Sequence, residues 1–257
     1  MPPPLTMPLS TPGLGSAQAG AKGWTLARLI AAGLPVPDAF VVTAQAVAAE
    51  SPGRASETLE SAICTAYADF TGALPTVSAV VVAVRASLLE PAARGVPPSI
   101  LNLRGPLNLV EAVSRCRQSM SSSGAVLVQR LVRAHTSGQI RPATLAEGGP
   151  NRLIAQASWG LGATRDGRGD AFVIDPASGI ILASEIADKD QMTALLDQGV
   201  AEVPVADDLR LAPALDAAGA AELARLHARA TRELGPGHAL EWAAVNGDLY
   251  VLDAYPV

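Results

Sequence analysis

The sequence predicts an α/β or α+β fold, on three observations. Short β-branched runs, among them AVVVAVR (Ala79 to Arg85) and AVLVQRLV (Ala125 to Val132), have the length and composition of buried strands. Other stretches, such as SETLESAICTAYADF (Ser56 to Phe70), place apolar residues at helical spacing. The two kinds of segment are interspersed along the chain without an internal repeat, which argues against a helical bundle or a β-sandwich. At 257 residues and 49% hydrophobic content there is ample material for a packed core in one large domain or two small ones.

Taken in order, the first residues, MPPPLTMPLSTPGLGSAQAG, are rich in proline and small residues and predict a mostly irregular arm over 1–18. They lack the basic and continuously apolar regions of a secretory signal. A short helix is expected to start near Lys22, with Leu26, Leu29 and Ile30 at helical spacing, Gly33 as its stop, and Pro35 and Pro37 preventing continuation. AFVVTA (Ala39 to Ala44) reads as a buried strand, and Ser56 caps the next helix. AVVVAVR follows as a central strand that ends abruptly in charge at Arg85. Pro91, Pro97 and Pro98 mark a loop, LNL (Leu101 to Leu103) a short strand, and Leu109 to Met120 a helix ended by SSSG. After the strand Ala125 to Val132, a second half opens around His135. Its strands are RLIAQAS (Arg152 to Ser158), AFVID (Ala171 to Asp175) and GIILASEI (Gly179 to Ile186), with the glycine-rich WGLGATRDGRGD between the first two. A helix from Ala217 to Leu234 precedes a hairpin, ALEWAAV and LYVLDA around NGD.

Composition excludes several functions. A net charge of −5 with no basic run argues against nucleic-acid binding. No window offers the roughly 18 apolar residues of a membrane span. Cys64 and Cys116 stand apart without metal-type spacing, which fits a reducing compartment and core positions. A soluble cytoplasmic protein is expected.

Three places suggest chemistry. Lys22 at the head of its helix sits on the unfavourable side of the helix dipole; a bound phosphate would reverse that sign, whereas a solvated loop lysine needs no partner. Arg85, at the end of the most apolar strand, suits a phosphate clamp or a solvated strand terminus. Glu241 and Asp253 are acids within otherwise apolar strands. A two-residue Asn-Gly loop would pair Glu241 with Leu252 and put the carboxylates on opposite faces, while a three-residue loop, Asn246 to Asp248, would pair them directly. Two carboxylates that close call for a proton or a cation, and an oxygen-only site suits magnesium shared with phosphates. The loop SWGLGATRDGRGD permits close backbone approach to an anion but is not a Walker A sequence, and its Arg168-Gly169-Asp170 triplet reads as chance.

The order of the segments GAKGWTLARLIAAGLPVPDAFVVTAQA, AVRAS, LNLRG, AVLVQRLV, ASWGLG and ALEWA...LYVLDAYPV resembles, across nearly the whole chain, the N-terminal nucleotide-binding region of phosphoenolpyruvate synthase and pyruvate phosphate dikinase, which rifampin phosphotransferases share. The resemblance implies an α+β, ATP-grasp-like fold of an N-terminal lobe (19–124) and a C-terminal lobe (125–257), with ATP and magnesium held between them. Residue by residue, Lys22 matches the lysine of the family's GGKG segment and Arg85 the arginine of its VRSSA segment, both touching phosphates there and both candidate catalytic residues here. Gln129 and Val132 fall on the strand that runs beside the adenine. Glu241 matches the glutamate of DIEWA, a magnesium ligand, and Asp253 stands as a second metal ligand.

Departures from the pattern are equally specific. Ala21 replaces a glycine, Ala239 the acid of DIEWA, and Gln156 the glutamate before ASWGLG. In the LQSRP segment, Asp253 replaces glutamine and Tyr255 replaces arginine, removing a positive charge from the phosphate side. The segments after Arg85 and after Cys116 are shortened. His135, His227 and His238 lack the TSHAA-like context of the family's phosphohistidine domain and read as surface or loop residues. The resemblance thus implies a Mg-ATP-dependent phosphotransferase acting alone, or as the ATP-binding half of a split enzyme with a separate phosphohistidine or substrate domain. A degenerate member serving as a non-catalytic partner is the alternative, and an ATP-dependent ligase has no sequence feature of its own here.

Overall fold

The computed structural model describes residues 3–51, 53, 55–72, 80–90, 97–147, 149, 151–162 and 169–257. The fold is α+β, and the chain divides into two compact units. The first comprises Met1–Ile30 and Pro37–Leu131, the second Ala31–Val36 and Val132–Val257.

The first unit runs β1 (Thr6–Pro8), α1 (Ser16–Ala31), β2 (Ala39–Val42), α2 (Ala44–Ala49), α3 (Glu57–Thr71), β3 (Val82–Leu88), β4 (Ile100–Leu103), α4 (Pro106–Ser119) and β5 (Gly124–Arg130), with the last residue of α1 passing into the second unit. Its five strands form an antiparallel sheet in the order β1-β2-β5-β3-β4. The expected irregular arm is corrected here: Thr6–Pro8 pairs with Phe40–Val42, and Leu9 behind it is buried. A three-residue edge strand ending in proline carries too little periodicity to read in advance. Strand β2 is shorter than expected because the Thr43 hydroxyl caps α2, accepting from the Ala46 N–H at 3.3 Å. Ser56 caps α3 as expected, accepting from the Leu59 N–H. One face of the sheet packs under α3 and α4, where Phe40, Val42, Val82, Val84, Val126 and Val128 meet Leu59, Ile63, Leu109 and Val113.

The second unit contains β6 (Thr136–Pro142), a 3-10 turn (Leu145–Glu147), β7 (Leu153–Trp159), β8 (Asp170–Ile174), β9 (Ile181–Glu185), β10 (Gln191–Leu195), β11 (Val200–Pro204), α5 (Asp207–Arg210), α6 (Ala217–Leu234), β12 (His238–Val245) and β13 (Asp248–Pro256). Six of its strands make an antiparallel sheet in the order β13-β12-β6-β7-β8-β9, and β10 and β11 form a separate ribbon. Helix α6 packs against β12, β13 and β6. Strand β5 belongs to the first unit rather than opening the second, so the division falls after Leu131, not after 124.

Candidate functional site

In the first unit, alternation along β3 separates two faces. Val82, Val84, Ala86 and Leu88 enter the core under α3 and α4, which leaves Ala83, Arg85 and Ser87 on the other side. Arg85 is the fourth residue of a seven-residue strand, not its end; the strand runs on because Ala86, Ser87 and Leu88 continue the pairing with β5. Opposite it, Arg85 pairs with Leu127 and Ala83 with Gln129, so Gln129 is the diagonal neighbour of Arg85 on this face. Gln129 is buried and Arg85 half-buried. Val132 lies beyond the end of β5, is buried, and is counted with the second unit, which corrects its placement on the strand.

Ser87 fastens α1 to this same face. Its Oγ accepts from the Gly23 N–H at 2.9 Å, and its hydroxyl donates to the Ala19 carbonyl at 2.6 Å. Between those two residues the helix is broken at Gly20, whose φ of 69° and ψ of 173° lie outside the helical region. A Cβ at Gly20 would fall 1.8 Å from the Ser87 carbonyl oxygen, so only glycine fits. Lys22, half-buried, therefore stands in the first turn of the helical stretch that starts after this break. Lys22, Arg85 and Gln129 are brought to one side of the first unit's sheet.

In the second unit the hairpin settles the carboxylate question by a route the sequence did not offer. The turn has two residues, Asn246 and Gly247, with φ of 53° and 87°, the left-handed pair of a type I′ turn. Pairing proceeds from Val245↔Asp248 to Trp242↔Val251, and a β-bulge then inserts Leu252 so that Glu241 faces Asp253. Of the two alternatives the two-residue loop is the one formed, but the bulge replaces the pairing of Glu241 with Leu252 expected of it by the direct pairing with Asp253 expected of the three-residue loop. Asp253 is buried and its Oδ1 accepts from the Ala254 N–H at 3.0 Å; Glu241 is half-buried.

This pair begins a polar line across the sheet. Glu241 faces Gln139 on β6, and Gln139 faces Gln156 on β7, with Gln139 Nε2 donating to Gln156 Oε1 at 2.5 Å. The Tyr255 hydroxyl donates to Gln139 Oε1 at 2.9 Å. Burial, then the negative charges of Glu241 and Asp253, push the Tyr255 phenol above its usual value, and Arg141 opposes them. Arg141 is itself gripped by Glu147 through two bonds of 2.6 and 2.8 Å. Gln139, Arg141 and Ser87 escaped the sequence reading. The alternation of Ser137, Gln139 and Arg141 with Gly138 and Ile140 was the period-two signal that could have found β6.

The remaining candidates lie apart from this face. Residues 163–168 of the glycine-rich loop, including Arg168 of the triplet, lie outside the described residues. Asp170 at the loop's far end is fully buried, accepting from Lys189 Nζ at 2.6 Å and from the Ala187 and Ala214 N–H groups. His227 is buried within α6 rather than on the surface, because the helix turns it onto the sheet, where its Nε2 meets the His238 carbonyl. A cavity of about 860 Å³ draws Thr136, Trp159 and Ala244 from the opposite face of the sheet, and none of the expected site residues lines it.

Glu241 and Asp253 suit magnesium, a hard cation that commonly takes one or two carboxylates and completes its shell with water and phosphate oxygens. Among the described residues no group of three or more His, Cys, Asp or Glu gathers into an all-protein metal site. No helix among them is long and apolar enough to cross a membrane.

Residues 120–257, more than half the chain, match the model of the pyruvate phosphate dikinase AMP/ATP-binding domain, and the chain belongs to that family. It is similar to the probable phosphoenolpyruvate synthase of Methanothermobacter thermautotrophicus, with 27% identity over 93% of this chain and 44% of that one. Similarity of 29% extends over 93% of this chain and 31% of the prodigiosin synthesizing transferase PigC of Serratia marcescens. The rifampicin phosphotransferase of Streptomyces sviceus is 28% identical over 63% of this chain and 21% of its own length. The chain thus spans less than half the length of these relatives. Among solved structures, D-alanine–D-alanine ligase from Bacillus anthracis aligns with a TM-score of 0.44 at 9% identity, over 91% of this chain and 54% of that one.

Proposed function

We propose that the protein is an ATP-grasp-like, Mg-ATP-dependent phosphotransferase, acting alone or as the ATP-binding half of a split enzyme. The observation that carries the reading is the cross-strand pair Glu241 and Asp253, on a polar line within the part of the chain that matches an AMP/ATP-binding domain. In this reading Lys22 and Arg85 meet the phosphates, Gln129 and Val132 adjoin the base, and Glu241 and Asp253 hold the metal. Phosphoryl transfer asks mainly for positioning and charge neutralisation. Lys22 and Arg85 supply fixed positive charge, and Ser87 holds the break in α1 that places Lys22. Magnesium, when bound, neutralises charge on the phosphoryl oxygens.

One observation favours a second reading, a non-catalytic partner or regulatory subunit: Tyr255 spans the polar face with its hydroxyl on Gln139. Thermal melting separates the two. Mg-ATP at about a hundredfold excess over Kd stabilises a binding protein by about 2.7 kcal/mol, a clear rise in melting temperature, and metal-free ATP gives far less. Lys22→Ala and Arg85→Ala lose the rise while keeping the far-UV circular dichroism of the wild type. No shift with millimolar Mg-ATP favours the second reading.

A further inference from the structure

Acids outnumber bases on the polar face of the six-stranded sheet. Asp253, Glu241 and Glu185 fall on one register line that also passes through Gln139, Gln156 and Ala171. Arg141 is the only lysine or arginine in the six strands. It stands two residues along β6 from Gln139, the direct partner of Glu241, which makes it the diagonal neighbour of Glu241 at roughly 7–8 Å, within reach of a long side chain. The position beside it on β12 is Ala239, which pairs with Tyr255 on β13. Ala239 is fully buried, and its small side chain lets Tyr255 reach across β12 to Gln139.

The guanidinium is held by the connection between β6 and β7. Glu147 binds it through both oxygens and is itself fixed by the Thr144 N–H at 2.9 Å and hydroxyl at 2.8 Å. Of the five N–H groups of an arginine, two go to Glu147 and one to the Pro142 carbonyl. The Nε–H and one Nη2–H have no bond among the described residues, and the side chain is 25% exposed. A polyphosphate approaching three carboxylates is repelled unless cations intervene. A metal on Glu241 and Asp253 answers part of that charge, and the Arg141 guanidinium, the one guanidinium within these strands, answers more, with a planar fork suited to phosphate oxygens.

We propose that Arg141 is a phosphate-binding residue of this site, taking non-bridging oxygens of a polyphosphate whose metal is held by Glu241 and Asp253, with Glu147 orienting its guanidinium. The proposal rests on the Mg-ATP reading above. Calorimetric titration of the full chain with Mg-ATP tests it through two variants that break the same ion pair. Arg141→Ala removes the charge and lowers Mg-ATP affinity at least tenfold, and Arg141→Lys recovers part of it. Glu147→Gln breaks the pair but leaves the guanidinium, and affinity stays within about threefold of the wild type. Should the alanine variant fail to fold, Arg141→Gln takes its place in the comparison. Equal losses in Arg141→Ala and Glu147→Gln, or an unchanged affinity in Arg141→Ala, overturn the assignment while wild-type binding stands. A wild type that binds no Mg-ATP overturns both this assignment and the reading beneath it.

Discussion

At the scale of single residues, the candidate site turns on how facing charges are answered. Glu241 and Asp253 face each other across the hairpin, where cross-strand Cβ atoms lie about 4.5–5.5 Å apart and like charges directly opposite are unfavourable. A cation between them relieves that repulsion, and an amide in place of one carboxylate relieves it without a cation. Glu241→Gln is therefore expected to weaken Mg-dependent nucleotide binding while leaving, or slightly raising, the melting temperature of the ligand-free protein. Thermal melting with and without Mg-ATP reads both quantities from one preparation; a variant that melts well below the wild type in the absence of ligand shows instead that Glu241 is structural. Arg141 and Glu147 illustrate the opposite case, an ion pair already satisfied. The hydrogen bond from Arg141, then those from Thr144, hold the Glu147 carboxyl well below the usual carboxylate range, so the pair stays ionised as the pH falls through the values where ordinary carboxylates protonate.

At the scale of elements, the break in α1 is the feature on which the placement of Lys22 within the first unit depends. Gly20 occupies a backbone region that other residues reach only at a cost of order 1–3 kcal/mol, and its missing Cβ is what lets the Ser87 carbonyl approach. Gly20→Ala is expected to destabilise the protein by at least that much in urea denaturation and to weaken Mg-ATP binding as well, because Lys22 is placed by the same break; retention of both stability and affinity would show that the junction tolerates rearrangement. How far the sequence disclosed such elements depended on whether their signals were local. Helix α6 was readable at both ends: Asp216 caps it by accepting from the Gly219 N–H at 2.7 Å, and Gly235 stops it with a φ of 91°. Lys22 and Glu241 could be singled out because each is a charge inside an otherwise apolar stretch. Strand β6 was not found, since Thr136–Pro142 is polar on one face, Ser137, Gln139 and Arg141, and is broken by Gly138 and Pro142 on the other, which leaves no apolar run. The bulge at Leu252 has no local signal either. It is set by how β13 pairs with β12, and only a structure supplies that.

For the whole molecule, the chain's route matters more than its midpoint. After α1 the backbone contributes residues 31–36 to the second unit, where the Val251 N–H donates to the Pro35 carbonyl at 2.9 Å and Arg229 Nη2 donates to the Gly33 carbonyl at 2.7 Å. Helix α6, which carries Arg229, also carries His227, so acid sensitivity is expected to reside in the second unit. His227 Nε2 lies 3.0 Å from the His238 carbonyl oxygen; a carbonyl only accepts, so the proton sits on Nε2. Burial lowers the imidazole pKa below its usual value of about 6.5, the bond to the His238 carbonyl opposes that shift, and the charge of His238 adds to it. In the unfolded chain the ring protonates near its ordinary value, whereas in the folded protein it does so only at lower pH. Between those two values the unfolded state binds more protons, so stability is complete near pH 7 and falls as the pH drops below about 6.5. Melting temperatures at pH 7.5, 6.5 and 5.5 should therefore decline, with hydrogen exchange in α6 rising in parallel. His227→Gln keeps a donor for the His238 carbonyl but cannot take up a proton in this range, and its melting temperature should fall less steeply over the same interval. A variant that declines as steeply as the wild type would place the acid sensitivity in another group.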